Sequence, residues 1–326
     1  MKKNITVTKE INPKNPILIA AWPGMGHVAV KAATYLKDKI QAYPFAKIES
    51  QKFFYQSDVV INDSLIQPSG FPQGKFYYWE NKFGKNDLII FVSELQPPPE
   101  KTTPYAEAIL DFASKLKVKM IFTFAAMLSS INHTQMPKAW FAVTNHKLVS
   151  EFQGIDARPM ETGQISGLNG LFLGLAKKAK IPGACLLGEI PFYAIQIENP
   201  WSSMVVVNAL TKFVDIQVDL NELSMAGKVM EEEIGKLIEH IKEPLAHEDQ
   251  EKPITNEDIE KMRNVLSSQT HIPNSAKKQI EELFVQAKND ISCAMDLKRK
   301  LDEWNAYKDY EDRFLELFRK GEERDN

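Results

Sequence analysis

The sequence predicts an α/β fold, a three-layer α/β/α arrangement with a mostly parallel sheet, followed by an all-helical C-terminal extension. Three observations carry this reading. Over the first 220 or so residues, short apolar runs alternate with longer amphipathic patterns, as expected of strands joined by crossover helices. Several of the apolar runs are continuous, so their strands are expected to be covered on both faces. After Pro244 the composition turns polar and strand-like runs cease.

Pro16–Trp22 reads as the first strand, and Met25–Ile40 as the helix after it. "AKIESQKFFY" reads as the second strand. "GKFYYWENK" alternates and is rich in aromatics, which suits an antiparallel strand in a hairpin or at an edge. "DLIIFVSE" is a buried strand. Thr103-Pro104 then reads as a helix start, with threonine at the cap and proline in the first turn. "KMIFTFAAM" and "AWFAVTN" are further strands, Gly163 to Lys178 a glycine-rich helix, and "ACLLGEIP" a late strand. Asn199-Pro200 opens a helix that runs to about Val214. Asp219-Leu-Asn-Glu222 resembles a capping box before another.

"PLAHEDQEKPIT" is polar, carries two prolines and reads as a linker, dividing the chain into residues 1–243 and 244–326. In the second part, Thr255-Asn-Glu-Asp258 resembles a helix start, with Ile259, Met262 and Leu266 on one face. Ile280, Phe284, Ala287 and Ile291 make a second stripe. Leu297, Leu301, Trp304, Tyr307, Phe314 and Phe318 make a third. These stripes must be buried on the main domain, between the helices, or on another subunit. Trp304, Phe314 and Phe318 are therefore interface candidates.

The chain has 326 residues, 44% of them hydrophobic, and a formal net charge of -3. Nucleic-acid and acidic-membrane binding need a concentrated positive field, which this balance lacks. Two cysteines, Cys185 and Cys293, cannot build a disulfide framework, so a reducing compartment is expected. "MKKNITVTKEINPKN" has no apolar stretch after its lysines and is not a signal peptide. No segment approaches the roughly 20 apolar residues of a spanning helix. The expectation is a soluble cytoplasmic protein.

The chemistry-bearing candidates cluster where strands end, since ligands in such sheets sit at the carboxyl ends of the strands. Gly24-Met-Gly26-His27 fits a loose G-x-G-x-x-A, and backbone N–H groups at a helix start can hold an anion. Pro23 removes one donor there, and no acidic residue closes the second strand as a ribose partner; Glu49 lies within it and Asp58 beyond it. A tight structural corner is the competing reading. His27 is the polar side chain that would face a ligand at that corner. Glu94, Glu189 and Asp63 fall at or near strand ends. If Glu94 and Glu189 lie on neighbouring strands they share the crevice and can act as acid and base; otherwise they hold loop N–H groups. No G-K-[ST] occurs, and "GQISG" places Ser166 one residue out of register for a nucleophile elbow. The six histidines lack metal-site spacing, so no metal and no cofactor is expected. Gly163, Gly167, Gly170 and Gly174 leave one helix face bare. This makes Gly167, Asn169 and Gly170 candidates for close contact with a neighbour, and Tyr193 after the late strand another.

"WPGMGHVAVKAATYL", "DLIIFVSELQPP", "ISGLNGLFLGLAKKAKIPGACLLGEIPFY" and "NPWSSMVVVNALTKFVDIQVDLNEL" follow one another in an order and spacing that resemble the proteasome assembly chaperone 2 family, over roughly Pro16 to Glu243. The resemblance implies a phosphorylase/hydrolase-like α/β/α sandwich and a non-enzymatic role in assembling proteasome α-subunits or another client, by a homo-oligomer. Relatives have also been labelled carboxylate–amine ligases of the ATP-grasp type. That chemistry needs a lysine-bearing glycine-rich flap and clustered carboxylates, which do not occur here. Assembly factors of this kind often end in a hydrophobic–tyrosine–any residue tail, whereas this sequence ends "RKGEERDN". The leading expectation is a non-catalytic assembly chaperone or scaffold. The alternative is a small-molecule- or nucleotide-binding protein or enzyme, ligase- or phosphorylase-like, using the strand-end crevice with Gly24, Gly26, His27, Glu94 and Glu189.

Overall fold

A computed structural model describes residues 4–56, 58–242, 274–289, 293–303, 310, 313–314 and 317. The chain divides into two compact units, Met1–Pro253 and Ile254–Asn326. The first holds β1 (Ile5–Val7), β2 (Ile17–Ala21), α1 (Val28–Lys39), β3 (Tyr43–Ile48), β4 (Val59–Asn62), β5 (Leu65–Pro68), β6 (Gly74–Trp79), β7 (Leu88–Ser93), α2 (Pro99–Lys115), β8 (Met120–Ser129), β9 (Ala139–Val143), β10 (Ala157–Pro159), α3 (Leu168–Lys178), β11 (Gly183–Pro191), α4 (Pro200–Val214) and α5 (Asn221–Lys242).

Nine strands form one sheet in the order β1-β3-β6-β7-β2-β8-β11-β9-β10. Its centre, β7-β2-β8-β11, is parallel. Antiparallel β6, β3 and β1 extend one side, and β9 lies antiparallel to β11 on the other. The continuous apolar runs fall in this parallel centre, and the short edge strand β10 pairs parallel with β9. The aromatic strand β6 is antiparallel as its alternation implies, but it lies inside the sheet between β3 and β7.

Alternation along the strands separates two cores. Leu18, Ala20, Ile89, Phe91 and Ile121 pack under α2 and α3, with Tyr105, Ile109 and Phe172 among their partners. Ile17, Ile19, Ile90, Phe122 and Leu186 pack under α1 and α4, against Ala32, Leu36, Val206 and Leu210. The result is the three-layer sandwich that the alternation of strands and helices requires.

Three predicted boundaries move, each for a local reason. The second strand ends at Ile48, not Tyr55: Ser50–Lys52 makes a 3-10 turn, and Phe53 and Phe54 are buried edge-on against Tyr105, with centroids at 5.1 and 5.7 Å. Helix α2 starts at Pro99 instead of Pro104, because Pro99 already supplies the first-turn geometry; the Thr102 hydroxyl donates to the Pro98 carbonyl (3.1 Å). Helix α3 starts at Leu168, with Gly167 before it at φ 74, so Gly163 and Gly167 lie outside the helix. Asp63 follows a strand, Val59–Asn62, as its place predicts, but that strand lies outside the nine-stranded sheet. With Ser64 it forms the turn of a separate hairpin, β4–β5.

The two predicted caps are used differently. The Asn199 side chain accepts the Ser202 N–H (2.9 Å), with Pro200 as the first helical residue. Asp219 accepts from Asn221 (2.9 Å), while Glu222 pairs with Lys39 (2.5 Å) instead of closing a box.

Among the described residues of the second unit are α6 (Asn274–Asn289) and α7 (Ala294–Glu303). Ile280, Phe284, Ala287, Ala294, Leu297, Leu301 and Phe314 form its own apolar cluster. The expected helix start at Thr255, its stripe, and Ile291, Trp304, Tyr307 and Phe318 lie outside the described residues.

Candidate functional site

The carboxyl ends of β2, β7, β8 and β11 share one edge of the sheet, because these strands are parallel. The glycine corner follows β2 there. Gly26 and His27 both adopt left-handed conformations (φ 60 and 51), which turns the chain from strand to helix within three residues. A Cβ on Gly26 would meet Val28, Asn199 and Ile190 side chains at 3.4–3.5 Å. Three backbone donors of the corner are used internally. Gly26 N–H donates to the Ile195 carbonyl (2.8 Å), His27 N–H to Gly24 (3.0 Å) and Val28 N–H to Met25. An anion would have to displace these bonds to reach the Gly26, His27 or Val28 N–H groups.

Two side chains that sequence reasoning did not assign to the corner close it. Asn169, at the start of α3, accepts the Trp22 N–H and donates to the Trp22 carbonyl, both at 3.0 Å. Its amide thereby continues the ladder of β2 after the strand has no neighbour to pair with. Trp22 is fully buried, its ring tilted against Phe91 and Phe172 at 5.6 and 5.1 Å. Gln96, in the loop after β7, donates to the Pro23 carbonyl (2.7 Å) and accepts the Leu168 N–H (2.9 Å). Gln96 and Asn169 therefore tie the corner to the start of α3.

The remaining candidates are dispersed. His27 and Gly24 are exposed. Glu94 is exposed and accepts the Gln73 N–H (2.8 Å), facing β6. Glu189 is buried in β11, accepting the Lys138 N–H (2.9 Å) and the Trp140 indole N–H (3.0 Å). β2 and β8 separate the strands carrying the two carboxylates, a spacing of roughly 14 Å across three inter-strand steps. They do not meet, and each holds loop or strand donors. Tyr193 is buried. Its hydroxyl accepts the His133 N–H (2.8 Å) and lies 2.9 Å from His133 Nδ1; burial holds that imidazole below its usual pKa. Asn169 is only 4% exposed. Gly170 lies against the Ile165 carbonyl, which a Cβ would approach to 2.2 Å, and Gly167 against Gln96. These four residues make contacts within their own chain. Among the described residues no group of three or more His, Cys, Asp or Glu is placed to hold a metal ion.

Beside the exposed His27 and Glu94, the edge offers apolar side chains to solvent. Each loop after a central strand presents one exposed apolar side chain: Met25 after β2, Leu95 after β7, Met136 after β8 and Phe192 after β11. Grooves of about 320 and 440 Å³ lie away from the corner, one against Glu49 and Gln73, the other against Asp156 and Arg158. No helix among the described residues is long and apolar enough to cross a membrane.

Comparison with known proteins agrees with this architecture. The uncharacterized protein MJ1210 of Methanocaldococcus jannaschii is 27% identical over 253 residues, spanning 77% of this chain and 94% of its own. The crystal structure of Pyrococcus furiosus PbaB, described as an archaeal proteasome activator, superposes with a TM-score of 0.63 at 28% identity. It covers 73% of this chain and 99% of PbaB. That of P. furiosus PbaA, described as an archaeal homolog of proteasome-assembly chaperone, shares the fold with a TM-score of 0.57 at 22% identity, over 74% and 94%. The model of the PAC2 family matches residues 18–238, from β2 through nearly all of α5, and the chain belongs to that family.

Proposed function

We propose that the chain is a non-catalytic assembly chaperone or scaffold, acting as a cytoplasmic homo-oligomer on a protein client, with proteasome-type subunits the first candidates. The observation that carries this reading is the state of the strand-end edge. In sheets of this kind that edge is where a small substrate would bind. Here the corner after β2 is closed by Asn169 and Gln96, the Gly26, His27 and Val28 N–H groups are spent within it, and four apolar side chains are exposed along the edge. An apolar rim over a filled corner suits contact with a protein surface. Kinship with the PAC2 family, and 28% identity to a protein described as a proteasome activator, supply the class of client. Nothing in this role calls for a cofactor, a metal, nucleic acid or a membrane.

The test is to combine the purified chain with archaeal-type proteasome α- and β-subunits. Sedimentation velocity should show it co-migrating with α-subunits or assembly intermediates, and assembly or peptide hydrolysis should change several-fold. If the chain sediments alone and both rates are unchanged, proteasome subunits are not its client.

A further inference from the structure

The hairpin β4–β5 stands apart from the sheet and has no protective charge on its strands. Its register pairs Val59 with Pro68 and Ile61 with Ile66 on one face, which is therefore wholly apolar. Ile61 and Ile66 are 70% and 72% exposed, and Val60 and Leu65 on the other face are more than half exposed. An isolated two-stranded hairpin is marginal in water. This one is nevertheless anchored. The Ser69 hydroxyl lies 2.9 Å from the Asp58 carbonyl and 2.7 Å from its carboxylate, and Gln56 donates to the Ser69 carbonyl (2.6 Å). It is a clamped, uncharged, apolar arm.

The sheet register fixes which end the arm leaves from. β6 begins beside the carboxyl end of β7, Gly74 opposite Ser93, and β3 runs antiparallel to β6, Lys47 opposite Lys75. The segment between β3 and β6, which contains the arm, therefore emerges at the same edge as Met25, Leu95, Met136 and Phe192. An arm and an apolar rim on one end are self-complementary under a two-fold axis: two copies facing edge to edge can each lay the arm on the other's rim.

We infer that this edge is the homo-oligomer contact, and that the occupant of the rim is the β4–β5 arm of a second copy. The inference rests on the homo-oligomeric part of the proposed function and is independent of the client's identity. Area supports it. Summed over both copies, the apolar face of the arm (Val59, Ile61, Ile66) and the four rim side chains expose roughly 1,400 Å², within the range of about 1,200–2,000 Å² for specific, stable interfaces. Charge supports it as well: neither the arm's strands nor the four rim side chains carry a charge, and the arm's carboxylate, Asp63, is at its tip. Glu94, beside Leu95 on the rim, keeps its carboxylate on the Gln73 N–H (2.8 Å).

The experiment uses the full chain with an arm variant, I61K/I66K, and a rim variant, L95K/M136K. All four side chains are exposed, so the circular dichroism spectra of the folded variants should match wild type. By light scattering after size exclusion, wild type should be oligomeric, and each variant should dissociate at concentrations about 100-fold higher, as expected when apolar anchors are lost. Mixing the two variants should restore a heterodimer, since the arm of one meets the intact rim of the other. A monomeric wild type would overturn the homo-oligomeric reading together with this inference, leaving the edge to another protein. An oligomeric wild type whose mass neither variant changes overturns the inference alone. Two dissociated variants that fail to complement each other overturn the arm-on-rim geometry.

Discussion

Replacing Asn169 with alanine should destabilise the first unit by about 3 kcal/mol. The perturbation removes one side chain and leaves two buried backbone groups, the Trp22 N–H and C=O, without their partners at 3.0 Å. Trp22 is inaccessible to solvent, so water cannot take over either bond. Each orphaned group costs about 1–3 kcal/mol, hence about 2–6 kcal/mol for the pair. For a unit of this size, about 3 kcal/mol lowers the melting temperature by roughly 6–12 °C. Thermal denaturation followed by tryptophan fluorescence measures it. N169D sharpens the test. One carboxylate oxygen still accepts the Trp22 N–H, but the other faces the Trp22 carbonyl, and only the protonated acid can donate to it. The folded-state pKa of that acid is thus raised above its unfolded value of about 3.9. Its bond is present at low pH and lost as pH rises through the folded pKa, so the deficit relative to wild type should shrink as pH falls from 7 to 5. A loss below about 1 kcal/mol for N169A, or a deficit in N169D that ignores pH, would refute the view that this amide terminates β2.

Three further outcomes follow from the same edge and core. E189A strips acceptors from the Lys138 N–H and the Trp140 indole and should cost about 2–4 kcal/mol in urea unfolding; a change near zero would mean these donors find water. Adding 10 mM phosphate or ATP should leave the melting temperature within about 1 °C, whereas a site with a Kd near 0.1 mM would add about 2.7 kcal/mol and raise it by several degrees. Burial pushes the Cys185 thiol up to about 12, so at pH 8 it is protonated as well as inaccessible. A thiol reagent should label Cys293 alone in the native chain and both cysteines after denaturation, and labelling of both in the native chain would contradict the fold.

The parts of the molecule that were legible in the sequence are those governed by near neighbours. The run Ile17–Ala21 is apolar throughout because it is the middle strand of the sheet, and Asn199-Pro200 caps a helix through a bond spanning three residues. Legibility fails where the partner is distant. Nothing near Asn169 or Gln96 announces that they meet Trp22 and Pro23, which lie 147 and 73 positions away. The sheet order is equally unreadable locally, so Glu94 and Glu189 were candidates for one crevice although two strands separate them. The β4–β5 arm was missed for another reason. The run Val59–Asn62 before Asp63 reads as a strand, but four residues do not tell a strand of the main sheet from one arm of a separate hairpin, and Leu65–Pro68 carries no alternation to announce the second. β1 and β10, three residues each, are too short for any periodicity to show.

The position of β2 has a consequence for how the chain is made. This strand, the most apolar of the early ones, pairs with β7 and β8, whose first residues are Leu88 and Met120. At synthesis rates of roughly 5–20 residues per second, β2 leaves the ribosome about 4–14 s before the start of its first neighbour. The clip from Asn169 arrives later still. Throughout that interval Ile17–Ala21 has no sheet to join and depends on α1 and on whatever binds nascent apolar segments. A protein of a chaperone family thus begins its own life as a substrate for protection, and slowing translation between Asp87 and Asn169 should raise the fraction that aggregates before the sheet closes.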